Sequence, residues 1–83
     1  MKSKSENVEV YYYNNNTLLV STAKGLIRVH CPFKATCIKS VETIKEGDRI
    51  TVICVEIAPD KKLLYLIDGK KYYYTYFEVL TGN

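Results

Sequence analysis

The 83-residue chain has no tryptophan, one histidine, one methionine and four glycines. It has no apolar run near the roughly 18 residues that a membrane-spanning helix requires. No segment carries apolar positions at helical spacing over ten or more residues, so neither a long core helix nor one suited to lying on a bilayer is expected. A membrane partner is therefore not expected. No glycine-rich loop is present to cradle a phosphate. The three cysteines, Cys31, Cys37 and Cys54, lack the Cys-x2-4-Cys spacing of structural zinc knuckles. His30 is adjacent to Cys31, and neighbours in a strand point to opposite faces, so the pair suits neither a metal nor a thiol nucleophile with its base. The carboxylates are scattered and form no acid–base pair. These absences predict a protein that is not an enzyme, takes no small-molecule substrate, and needs no metal or other cofactor.

Twelve basic residues against nine acidic ones give a net charge of +3. That tolerates phosphate contact but lacks the dense basic stripe of a dedicated nucleic-acid binder. An odd number of cysteines, each among apolar neighbours, suits reduced thiols acting as small hydrophobes in a cytosol. Met1-Lys2-Ser3-Lys4-Ser5 lacks the apolar core of a signal peptide, which also points to a cytoplasmic location. Residues 1–7 are expected to be a disordered tail, and residues 8–80 a single β-barrel domain.

What the chain does have is strand pattern. Val8, Val10 and Tyr12 alternate with Glu9, Tyr11 and Tyr13, the period of a half-buried strand. Asn14-Asn15-Asn16 supplies a turn, because asparagine bonds its own backbone and tolerates left-handed geometry. Thr17 to Thr22 returns with Leu18 and Val20 on one face, and Lys24-Gly25 closes that hairpin. Leu26 to Cys31 follows with Ile27, Val29 and Cys31 inward and Arg28 and His30 outward. Pro32 ends it and should turn Phe33 into the core. Ala35 to Ser40 reads as another short strand, and Val41 to Glu46 as a loop or one helical turn.

The segment from Gly47 to Leu80 carries the clearest signals. Pro59-Asp60-Lys61-Lys62 and Asp68-Gly69-Lys70 separate three strand-forming runs. Arg49 to Ala58 reads as the longest strand, yet its apolar parity changes midway: Ile50, Val52 and Cys54 share one face, whereas Val55 and Ile57 follow the other. Such a switch implies a bulge or a sharply coiled strand serving two sheet surfaces, as in small barrels. Leu63 to Ile67 is apolar on both faces and suits a central strand. Beyond it, Tyr72, Tyr74 and Tyr76 should share one face, with Tyr73, Thr75 and Phe77 on the other. The expected fold is all-β: a small antiparallel barrel of six to seven strands, whose closure would remove aggregation-prone edges.

Ile44-Lys45-Glu46-Gly47-Asp48-Arg49-Ile50-Thr51-Val52, a hairpin, and then Tyr74-Thr75-Tyr76-Phe77-Glu78-Val79-Leu80 together resemble the second half of an SH3-like barrel. In that fold a turn ending in Gly-Asp opens a strand, a distal hairpin follows, and a short helical turn precedes the last strand. The resemblance covers fewer than half the residues and implies an SH3-like topology, with an OB-like barrel as the alternative. There is no tryptophan at the start of a strand and no Ala-Leu-Tyr-type opening. The resemblance therefore brings no proline-rich-peptide site with it.

Eight tyrosines in 83 residues, six of them in the triplets Tyr11-Tyr12-Tyr13 and Tyr72-Tyr73-Tyr74, exceed what one small core hides. Alternation forces some rings outward. Tyr12 is expected to pack inward with Val8 and Val10, leaving Tyr11 and Tyr13 outside. Arg28, His30, Lys34 and Lys39 would cluster if the third strand paired with the segment after it. The bland alternatives are cross-strand packing for the tyrosines and solvation for the charges, with Lys61-Lys62 and Lys70-Lys71 as solvated hairpin tips. The candidate partner-binding residues are Tyr11, Tyr13, Tyr73, Arg28 and His30. They suit a protein partner or self-association, since tyrosine is enriched at interface centres. A second possibility is single-stranded nucleic acid stacking on the rings. A third is a structural subunit of a larger assembly.

Overall fold

A computed structural model of the chain describes residues 9–80. The tail assigned to residues 1–7 lies outside them, as does Val8. Among the described residues the protein is all-β, with nine short strands in three antiparallel sheets. The extra strands over the expected six or seven arise where long runs break.

The first sheet is a meander of β1 (Glu9–Asn14), β2 (Thr17–Thr22) and β3 (Gly25–His30). Its first turn is built as the asparagines predict, with the Asn16 N–H donating to Asn14 Oδ1 at 2.8 Å. Its second turn is tied by the Lys24 N–H donating to Thr22 Oγ1 at 3.1 Å. Register places Val10, Val20 and Ile27 in one row and Tyr12, Leu18 and Val29 in the next, which forms the core-side face. Leu18 and Val20 are fully buried there.

The second sheet has the order β5 (Arg49–Val52), β4 (Phe33–Cys37), β9 (Phe77–Val79). Strand β4 begins and ends earlier than the expected Ala35 to Ser40, and Phe33, Ala35 and Cys37 face the core. Val41 to Glu46 is a loop, closed by reciprocal 2.9 Å hydrogen bonds between Val41 and Ile44. The Gly47-Asp48 turn is locked by the Gly47 N–H donating to the Cys37 carbonyl at 2.7 Å and by the Lys45 N–H donating to Asp48 Oδ2 at 3.0 Å.

The third sheet has the order β6 (Cys54–Ile57), β7 (Leu63–Ile67), β8 (Lys70–Tyr73). The expected single strand from Arg49 to Ala58 is two strands belonging to different sheets. At the break the Ile53 N–H donates to the Leu66 carbonyl at 2.9 Å, while Cys54 is already the partner of Leu66. Two residues thus oppose one, which is a bulge. It allows both Val52 and Val55 to be fully buried although they are three residues apart. Strand β7 is central, as expected, but Leu63, Tyr65 and Ile67 form its covered face while Leu64 and Leu66 are only half-buried.

The tyrosine alternation after Tyr72 does not persist. Strand β8 ends at Tyr73, Tyr74–Tyr76 form a 3-10 turn, and Phe77 starts β9 with its ring in the core. A helical turn shifts side-chain direction by about 120° per residue rather than 180°, so the two-residue period is lost there. Side chains from all three sheets meet in one core cluster, in which Tyr65 meets Phe33 edge-on at 5.6 Å and Phe77 at 6.1 Å. The described strands do not close into a barrel: β1 and β9 each pair on one side only and flank an open groove.

Candidate functional site

The register of the first sheet assembles four of the five sequence-predicted residues. Tyr11, Leu19 and Arg28 lie in one cross-strand row, and Thr17 and His30 are partners nearer the β1–β2 turn. The row and the pair sit on the face opposite Leu18 and Val20, because parity alternates along each strand. Tyr13 falls at a register shift in β1, and its ring lies under the Arg28 guanidinium at 5.4 Å. The Thr17 hydroxyl and His30 Nδ1 are 3.2 Å apart, which fixes the imidazole ring. Tyr11 donates its hydroxyl hydrogen to the Glu9 carboxylate, and that bond, followed by the carboxylate's charge, raises the phenol above its ordinary pKa.

Tyr12 departs from expectation. It stands on the core-side row opposite Leu18, yet it remains 38% exposed and donates its hydroxyl hydrogen to Asn15 Oδ1. A ring near the end of an edge strand has no sheet beyond it to cover it. All three rings of the first triplet are therefore at the surface.

Tyr73 belongs to a different surface, on β8 of the third sheet. Its ring is capped by the Lys62 ammonium at 5.7 Å, and its hydroxyl donates to Asp60 Oδ2 at 3.4 Å, both groups coming from the β6–β7 turn. The expected cluster of Arg28 and His30 with Lys34 and Lys39 does not form by strand pairing. Strand β3 pairs only with β2, whereas β4 pairs with β5 and β9. The Lys34 ammonium instead donates to the Thr51 hydroxyl at 2.8 Å. Lys71 is not a bare hairpin tip either: it meets Glu56 across β7 at 2.9 Å.

The cysteines are free thiols. Cys37 is buried and donates to the Lys39 carbonyl at 3.2 Å. Burial, with a smaller contribution from Cys54, pushes the Cys31 thiol up from its ordinary value. Among the described residues no three His, Cys, Asp or Glu side chains converge as metal ligands would.

Sequence reasoning missed the groove between β1 and β9, which measures about 440 Å³. Val10, Tyr65, Phe77 and Val79 line its apolar part, and Glu9 and Glu78 its polar part. Burial raises the Tyr65 phenol far above its ordinary pKa. No local signal marks this feature, since its two walls come from opposite ends of the chain. No helix among the described residues is long and apolar enough to cross a membrane. Comparison with protein-family models, curated proteins and solved structures found no match.

Proposed function

We propose that the chain is a non-enzymatic protein-interaction or homo-oligomerisation module, built on an SH3-like but open-sided β scaffold and working in the cytosol. Its contact surface is the outer face of the β1–β2–β3 sheet. One observation carries this reading: Tyr11, Leu19 and Arg28 stand side by side, with Tyr13 stacked under Arg28 and His30 close to them. Tyrosine and arginine supply large contact area and are enriched where partners meet. The stacked pair holds the guanidinium before any partner arrives, which lowers the ordering cost of binding. The Gly47-Asp48 turn before β5 and the 3-10 turn before the last strand support the SH3-like scaffold. Three free thiols suit a reducing compartment.

Single-stranded nucleic acid is the alternative, and the geometry favours it less. Glu9 lies among the tyrosines and accepts from Tyr11, while Lys34 is held by Thr51 on another sheet. A phosphate backbone would meet one arginine and a carboxylate rather than a basic track. A subunit role in a larger assembly would use the same aromatic face.

The test compares the wild-type chain with a Tyr13→Ser/Arg28→Glu variant, by sedimentation across a concentration series and by identifying proteins that co-purify from the native cell. The expected result is self-association or one stoichiometric partner, weakened about tenfold or more in the variant, as for loss of a Tyr–Arg hot spot. A wild-type chain that stays monomeric and partnerless, or a variant that keeps its partner at wild-type strength, refutes the proposal. Salt-steep binding to single-stranded oligonucleotides would transfer the surface to the nucleic-acid reading.

A further inference from the structure

The groove between β1 and β9 is bounded by two strand edges, and the register shows which backbone groups face into it. In the first sheet the Cys31 N–H donates to the Asn16 carbonyl at 2.8 Å, which makes Leu18/Val29 and Val20/Ile27 the hydrogen-bonded pairs between β2 and β3. The residues of β2 that bond β1 are then Leu19 and Ser21, whose partners are Tyr11 and Glu9. The N–H and C=O groups of Val10 and Tyr12 consequently point away from β2; those of Val10 lie at the groove, whereas the far end of the hairpin lies against β6, where the Val55 N–H donates to the Asn15 carbonyl at 2.9 Å. In the second sheet the Ile38 N–H donates to the Tyr76 carbonyl at 2.8 Å, and the Leu80 N–H to the Lys34 carbonyl at 3.1 Å. Residues 76, 78 and 80 therefore face β4, and Phe77 and Val79 face the opposite way. The Phe77 N–H is taken by the Tyr74 carbonyl within the 3-10 turn. That leaves the Phe77 carbonyl and both backbone groups of Val79 directed outward from β9.

Val10, Phe77 and Val79 all line the groove. Two strand edges with outward main-chain donors and acceptors thus flank one apolar slot, and no sheet bond joins them among the described residues. Side-chain chemistry adds a charge preference. Among the described residues, Glu9 and Glu78 are the charged side chains that line the groove, and no described lysine or arginine does so. Water satisfies such edges in isolation, but a strand can satisfy both at once.

We infer that the groove takes an extended, lysine- or arginine-bearing peptide segment of a partner protein, which adds as a strand between β1 and β9 and bridges the two sheets. Successive residues of the added strand bond alternately to β1 and to β9. Its apolar side chains cover Val10 and Val79, and its basic side chain meets Glu9 or Glu78. This site is separate from the Tyr13–Arg28 stack, and its occupancy is read from backbone amides rather than from loss of those side chains. Failure of one proposal does not imply failure of the other.

The test uses the full chain and a blocked heptapeptide that alternates valine with lysine, followed by amide hydrogen exchange and chemical shifts. The peptide is expected to slow exchange at Val10 and Val79. Two isomers, N-methylated at the odd or the even residues, each remove the N–H donors that face one edge. Both are expected to bind about tenfold or more weakly, from loss of two or more main-chain hydrogen bonds. Glu78→Lys should weaken the lysine peptide by roughly twofold to fivefold, the scale of an exposed ion pair, and favour a glutamate counterpart. The inference is overturned if either N-methylated isomer binds as well as the parent, if protection falls elsewhere, or if the glutamate peptide binds the wild type equally. It is also overturned if those amides are already protected without peptide. Concentration-independent protection would assign the groove to the chain's own terminus, and concentration-dependent protection to a second copy.

Discussion

Deleting Ile53 tests whether the bulge between β5 and β6 lets one continuous run serve two sheets. Val52 and Val55 are both fully buried, whereas Ile53 is 50% exposed. Deletion leaves the two valines two residues apart, where alternation by itself puts them on one face, but the chain that passes from one sheet to the other is then one residue short, so β5 and β6 cannot both keep their places. If β5 holds its register, Glu56 moves into the place of Val55 and must either bury its carboxylate or detach the strand; if β6 holds, Val52 leaves the core. Losing one buried valine costs about 1.5 to 3 kcal/mol in transfer alone, and the cavity or misplaced charge raises this to roughly 3 to 5 kcal/mol. Total stability for a chain of this length is about 4 to 12 kcal/mol, so the deletion should remove much of it. Ile53→Ala keeps the residue count and trims a half-exposed side chain, for about 1 kcal/mol or less. Urea unfolding monitored by circular dichroism, with both variants beside wild type, gives the comparison. A deletion variant that unfolds cooperatively within about 1 kcal/mol of Ile53→Ala would refute the role assigned to the bulge.

Two further outcomes follow from the same geometry. Gly69 sits at φ +81° in the β7–β8 turn, beside Asp68 at +51°, with open space where a Cβ would go. Gly69→Val should therefore destabilise through backbone conformation alone, by about 1 to 2 kcal/mol in urea unfolding, and a neutral result would contradict the turn geometry. Because the folded-state pKa of Tyr65 is raised, the folded chain holds the phenolic proton more tightly than the unfolded chain. Its contribution is complete below the unfolded value of 10.0 and is lost as pH rises beyond it. Tyr65→Phe should flatten the fall in stability above that pH, and unchanged slopes in the two proteins would show that the phenol titrates alike in both states.

The legible part of the fold was the part that short-range chemistry controls. Asn15-Asn16, Asp60-Lys61 and Asp68-Gly69 marked turns because these residue types tolerate the backbone angles that turns demand. Parity placed Leu18 and Val20 inward and put Arg28 and His30 outward, since a strand has only two faces. The odd step at Cys54 and Val55 was visible too, although its form, a bulge where one strand passes between sheets, depended on Leu66 in another strand. Likewise the outward face of Tyr11 and Arg28 was foreseeable, while the stacking of Tyr13 under Arg28 needed the register shift in β1.

By itself, then, the sequence determined an all-β chain, the positions of its main hairpins and a surplus of tyrosine that had to reach the surface, because these follow from local backbone preference and two-residue periodicity. Only the tertiary structure decided which strands became neighbours. That choice set Tyr73 against Lys62 rather than beside Tyr13, and it denied Arg28 the lysines of β4 and the loop after it. It also left the edges of β1 and β9 facing one groove. Strand pairing between distant segments is fixed by how well the whole set of buried side chains packs into one core, and no short window of residues carries that information.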